Sequence, residues 1–131
     1  MFGKDFVKVK IDIERMKNGE RVGKGIRAGK DGGIPWFIFA DPSQPLLIVK
    51  PTKDGSPPAE DAPLQRRKSA ILATADGPDG NVGCPMSKAE RAHFHDMLVT
   101  ARINLTDKEL EIIAADLLEY ARATIGERAD Q

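Results

Sequence analysis

The chain has 131 residues, one domain's worth of sequence, and its 20 basic side chains balance its 20 acidic ones. That balance removes any bulk electrostatic case for nucleic acid or an anionic membrane, and the few aromatics leave no stacking platform for bases. The first residues hold no apolar signal core and no run approaches transmembrane length, so the expected compartment of the chain as it stands is the cytoplasm.

Val7, Val9, Ile11 and Ile13 alternate with Lys8, Lys10 and Asp12, which predicts a strand with one buried face. After Asn18-Gly19 the glycines at 23, 25 and 29 allow only a short, weak helix. They do not make a phosphate loop. Gly25 to Gly29-Lys30 is one residue too short, and Asp31 stands where Ser or Thr must bind magnesium. Gly32-Gly33-Ile34-Pro35-Trp36 then places a proline where a strand should open. Proline donates no ladder hydrogen bond and is restricted to strand starts, edges and bulges. It pushes Ile34 to an extended conformation, and the Ile34-Pro35 bond is a candidate for cis. Two readings stay open: a plain loop ending at a buried strand, or an exposed extended dipeptide that holds another peptide. Trp36 to Ala40 reads as a continuous apolar strand buried on both faces.

Residues 42–68 change character, with Pro42, Pro45, Pro51, Pro57, Pro58 and Pro63 among Ser, Asp and Gly. They predict a surface insertion with little packing, in which Leu46 to Val49 form a short strand and Arg66-Arg67-Lys68 a solvated basic run. Ser69 to Thr74 is a better strand, ended by the turn signal Asp76-Gly77-Pro78-Asp79-Gly80-Asn81. Two capped helices follow. Ser87-x-x-Glu90 is a capping box, with Ala92, Phe94, Met97, Leu98 and Ala101 as apolar surface behind it. Thr106-x-x-Glu109 is a second box, followed at helical spacing by Leu110, Ile113, Leu117 and Ala121, with Gly126 as the stop. Asp116, Glu119 and Arg122 belong to a solvated face.

No catalytic constellation declares itself. His93 and His95, two apart on a helix, point to roughly opposite faces and cannot share a metal. Cys84 is the only cysteine, so neither an intramolecular disulfide nor a cysteine metal cluster can form. A lone cysteine reads first as a small buried hydrophobe. No cofactor is implied.

Three stretches nevertheless read together. Phe6 to Met16 resembles a leading strand of thioredoxin-like proteins that ends in a short acidic segment. Gly33-Ile34-Pro35-Trp36-Phe37-Ile38-Phe39-Ala40-Asp41 resembles their cis-proline segment and the strand after it. Ala73 to Pro85 resembles a strand end and glycine-rich turn of a bacterial thioredoxin-like subgroup. The resemblance implies an α/β fold: an incomplete thioredoxin-like domain of leading strand, short helix, cis-Pro strand, strand and helix over residues 1–104. The Pro-rich insertion at 42–68 interrupts it, an extra C-terminal helix at 105–126 packs on it, and 127–131 form a tail.

The family's Cys-x-x-Cys has no counterpart here. The resemblance therefore implies a relative of thiol–disulfide oxidoreductases that is redox-inactive as it stands. Gly33, Ile34, Pro35 and Trp36 would be the substrate-binding residues and protein or peptide segments the partners. A missing middle strand would leave open sheet edges through which the chain could associate with itself. The intact parent would be periplasmic or secreted. A non-catalytic peptide-binding module using the same Ile34-Pro35 strand mouth is the alternative, and a small structural or stress-related α/β protein without a peptide site the third reading.

Overall fold

The computed structural model describes every residue except Met1, Asp31 and Asp79. Asp31, after the glycine-rich stretch, and Asp79 of the turn signal thus lie outside the described residues. In chain order the elements are α1 (Gly19–Ile26), β1 (Ile38–Ala40), β2 (Leu47–Val49), β3 (Leu64–Arg66), β4 (Ile71–Thr74), β5 (Asp76–Gly77), β6 (Gly80–Asn81), α2 (Lys88–Ala101) and α3 (Asp107–Ile125). Short 3-10 turns occupy Phe2–Lys4, Lys68–Ala70 and Gly126–Asp130. The strands pair as separate two-stranded ribbons, β1 with β4, β2 with β3 and β5 with β6. The class is mixed α/β, built on small antiparallel sheets. Two compact units emerge: Met1–Val7, Gly32–Phe39 and Leu72–Gln131 form the first, Lys8–Asp31 and Ala40–Ile71 the second.

The first unit is built by its helices. Ser87 and Thr106 are extended caps whose hydroxyls accept the N–H of Glu90 and Glu109, while those glutamates accept the cap residues' own N–H groups. Both boxes form as the sequence predicts, because each satisfies donors that a helix start otherwise leaves unpaired. Behind them Leu98, Leu105, Leu110 and Ile113 form one buried cluster, against which Phe6, Phe39, Phe94 and Leu117 pack. Ala75, Val82 and Met97 form a second, with Trp36 and Phe37 against it. The Phe37 and Phe94 rings meet edge-on at 5.8 Å, a favoured aromatic geometry. Ala92, grouped above with the apolar face, is exposed.

The start of the chain is tied to the α2–α3 corner by one carboxylate. Asp5 accepts the N–H groups of Ile103, Asn104 and Leu105 at 2.7–2.9 Å. Partial desolvation pushes the Asp5 carboxyl up, but these donors outweigh it and hold it below its ordinary value. Gly126, at φ 64°, ends α3 as expected. The residues read as a tail instead continue as a 3-10 turn, with Ala129 buried and Asp130 paired to Arg122.

In the second unit, α1 lies against the β2–β3 ribbon. Leu47 faces Arg66 and Val49 faces Leu64 in that ribbon. Gly25 permits the approach: a Cβ there would stand 2.9 Å from Leu64 Cβ and 3.2 Å from Leu47 Cδ2. Arg66 donates to the Ile26 carbonyl at 3.1 Å, a cation at the negative end of the helix. Arg21 donates to the Ala62 carbonyl at 2.6 Å.

Several expectations change here. Residues 7–13 form no strand, and Val7, Val9 and Ile13 are exposed. Alternation supplies the faces of a strand but not the neighbour whose ladder would make it one. At Asp12 the chain instead turns, with the Asp12 carboxylate accepting the N–H groups of Glu14 and Arg15. The segment 42–68 is not a bare insertion, since it carries β2, β3 and the surface that α1 covers. The basic run is likewise only partly solvated, because Arg66 is bonded to α1. The strand after Pro35 begins at Ile38 and is half-buried, because a two-stranded ribbon cannot enclose both of its faces. β4 begins at Ile71, after the 3-10 turn at 68–70.

Candidate functional site

The Gly33–Trp36 segment lies entirely in the first unit. The Ile34-Pro35 bond is cis. What holds this segment is a loop about 45 residues further on, built by the β5–β6 hairpin, in which Asp76 faces Asn81 and Gly77 faces Gly80. The Asn81 amide nitrogen donates to the carbonyls of Gly33 and of Pro35, both at 2.8 Å. Its amide oxygen accepts the Gly83 N–H at 2.9 Å. One side chain thus bridges the residues on either side of Ile34 and fixes its own loop as well.

Gly83 completes the clamp by having no side chain. A Cβ at this position would overlap the Pro35 carbonyl oxygen. Trp36 is anchored in turn: its indole N–H donates to Asp76 Oδ1 at 2.9 Å. The ring is half-buried against the Ala75–Val82–Met97 cluster. The four residues expected to bind substrate therefore divide. Trp36 is a half-buried anchor, while Gly33, Ile34 and Pro35 are exposed. Ile34 is 79% exposed, and among the described residues neither its N–H nor its C=O has a hydrogen-bond partner.

Cys84 follows Gly83 and is exposed, not the buried hydrophobe its solitude suggested. His93 and His95 diverge along α2 as their spacing requires. Nε2 of His93 lies 2.9 Å from the Thr74 carbonyl, so that nitrogen carries the proton and the ring ties α2 to the strand side of the unit. His95 Nδ1 is 4.0 Å from Asp96 Oδ1. Among the described residues no three His, Cys, Asp or Glu side chains come together as a metal site. A cleft of about 280 Å³ between α2 and α3 is floored by Phe94, Leu98, Ile113 and Leu117 and bordered by Lys88, Arg91 and His95 of α2.

Asn81 and Gly83 are the residues that sequence reasoning passed over as mere turn chemistry. The signal was present: an Asn-x-Gly spacing just past a dense turn leaves the amide free to bond outward. Its target, 46–48 residues away, could not be read from the local pattern. Comparison with protein-family models, with curated proteins and with solved structures finds no match for this chain.

Proposed function

We propose that this chain is a non-catalytic peptide-holding protein whose contact point is the exposed corner Gly33-Ile34-Pro35. The observation that carries this reading is the combination of a rigidly held backbone and an open rung. Asn81 and Gly83 pin the carbonyls beside Ile34, while Ile34 keeps its own N–H and C=O clear and its side chain in solvent. An extended segment laid alongside can exchange two main-chain hydrogen bonds with Ile34 and cover its side chain. That is the elementary unit of strand addition. A pinned corner loses little freedom on binding, so more of the contact energy appears as affinity.

A second reading, kinship with thioredoxin-like proteins, is supported by the Gly33–Trp36 segment standing beside the 76–83 loop. In that reading the corner is the family's substrate-side proline segment, retained without dithiol chemistry. The 131 residues contain one cysteine, and a monothiol forms mixed disulfides but does not turn over a dithiol cycle.

An array of immobilised extended peptides, probed with the full chain and with Ile34→Asp, tests the proposal. The wild type should bind a subset of apolar, β-branched peptides, and Ile34→Asp should lose that signal with an unchanged melting temperature. Equal binding by the variant would overturn the peptide-holding reading. Insulin-disulfide reduction tests the redox part: no turnover is expected, with or without Cys84→Ser. Turnover abolished by Cys84→Ser would refute inactivity.

A further inference from the structure

We infer that residues 8–14 of two copies of this chain pair as antiparallel strands about a two-fold axis at Ile11. This surface is separate from the Ile34 corner and does not rest on the peptide-holding reading. Among the described residues Val7 to Ile11 make no backbone hydrogen bond, though their side chains alternate as a strand's do. Val7 is 92% exposed and Val9 77%. Unpaired N–H and C=O groups beside exposed β-branched side chains form a template for another strand.

The pattern of charges names the strand that fits. Lys8-Val9-Lys10-Ile11-Asp12-Ile13-Glu14 is complementary to its own reverse. With Ile11 opposite Ile11, Lys8 faces Glu14, Lys10 faces Asp12 and Val9 faces Ile13, and two-fold symmetry repeats each pair. Every charged position meets the opposite charge and every apolar position meets an apolar one. Centring the pairing on Lys10 or on Asp12 would set a like charge against itself, which destabilises a sheet. A slip by one residue would turn charged side chains onto the apolar face.

Three of the four charged side chains are also available, while the fourth, the Asp12 carboxylate, is held by the N–H groups of Glu14 and Arg15. Among the described residues Lys8, Lys10 and Glu14 take part in no ion pair. In the single chain Ile13 and Glu14 are folded into the turn that Asp12 closes with two bonds of 3.0 Å. Pairing draws these residues into line and exchanges those bonds, together with the Met16 N–H bond to the Asp12 carbonyl and the Asp12 N–H bond to Met16 Sδ, for ladder bonds. The dimer is therefore an equilibrium that concentration moves.

Sedimentation equilibrium of the full chain over a range of concentrations tests the inference, using variants at two exposed, unpaired positions. The wild type should shift from monomer toward dimer as concentration rises. Lys8→Glu alone and Glu14→Lys alone should each weaken the dimer by about tenfold or more, because two attractive cross-strand pairs become repulsive. An equimolar mixture of the two variants should dimerise again, since each supplies the charge the other lost. Circular dichroism should show both variants folded. A wild type that stays monomeric throughout, single variants that dimerise as well as the wild type, or a mixture that stays monomeric would each overturn the pairing.

Discussion

The two units hide their apolar surface in different ways. The first buries large side chains: Met97, Leu98, Leu105, Leu110 and Ile113 all lie within it, supported by several phenylalanines. The second buries Ala62 and Ala70 as its only core side chains among the described residues, and brings α1 onto its ribbon through glycine. Burial stabilises in proportion to apolar area, so most of the hydrophobic driving force resides in the first unit. The second relies on close backbone approach and on directed bonds such as Arg66 to Ile26 and Arg21 to Ala62. One chain thus carries a region that tolerates surface change and fails by cavity, beside one that fails by crowding.

The largest expected effect is Leu98→Ala. Leu98 is 1% exposed in the main cluster, and its truncation should cost about 2–5 kcal/mol in urea unfolding. Leu47→Ala, at a half-buried ribbon position, should cost clearly less, and equal losses would break the comparison.

Gly25→Ala should have the opposite sign from a routine helix substitution. Alanine normally stabilises a helix interior by about 1 kcal/mol over glycine. Here the added methyl would stand 2.9 Å from Leu64 Cβ and 3.2 Å from the Leu64 carbonyl, and overpacking of this kind costs about 1–3 kcal/mol. A net loss is expected, seen as faster amide exchange in α1. Even in the wild type, α1 amides should exchange faster than those of α3, because few buried contacts resist local opening. A more stable Gly25→Ala protein would show the ribbon yielding to the helix.

Thr106→Ala should cost about 1 kcal/mol by removing the hydroxyl that accepts the Glu109 N–H. The smallest effect is one of pH. The bond from Lys4, helped by the Thr106 N–H, holds the Glu109 carboxyl down from 4.5 to about 2. A lowered folded-state pKa stabilises above the unfolded value and fades as the proton arrives. Stability should therefore fall between about pH 5 and about pH 2. Glu109→Gln should flatten that acid slope in a thermal melt without removing it, because Asp5 and Glu90 are also held below their ordinary values. An unchanged slope would show the Lys4 contact to be inconsequential.

Legibility follows the same division. Helix starts are written locally: Ser87 with Glu90 and Thr106 with Glu109 announce themselves within four residues, and the leucines behind them state which face is buried. Strand pairing is not local. Val7 to Ile13 has the alternation of a strand but no neighbour, whereas Leu64-Gln65-Arg66, which runs into the basic stretch read as solvated, becomes a strand because Leu47 to Val49 lies beside it. At the candidate site, Gly32 to Trp36 marks the exposed corner in the sequence. The residues that hold it, Asn81 and Gly83, gain their meaning only once the chain has returned.

The Asp5 contact has a consequence for the corner between α2 and α3. Three successive N–H groups converging on one point form a nest, the backbone arrangement with which proteins capture anions. In this chain the nest already has a tenant, supplied from the same polypeptide about a hundred residues earlier. The N-terminal residues thus behave as a tethered anionic ligand, docked by a charge that acid can remove, and the corner is closed to phosphate or sulfate for as long as Asp5 remains ionised.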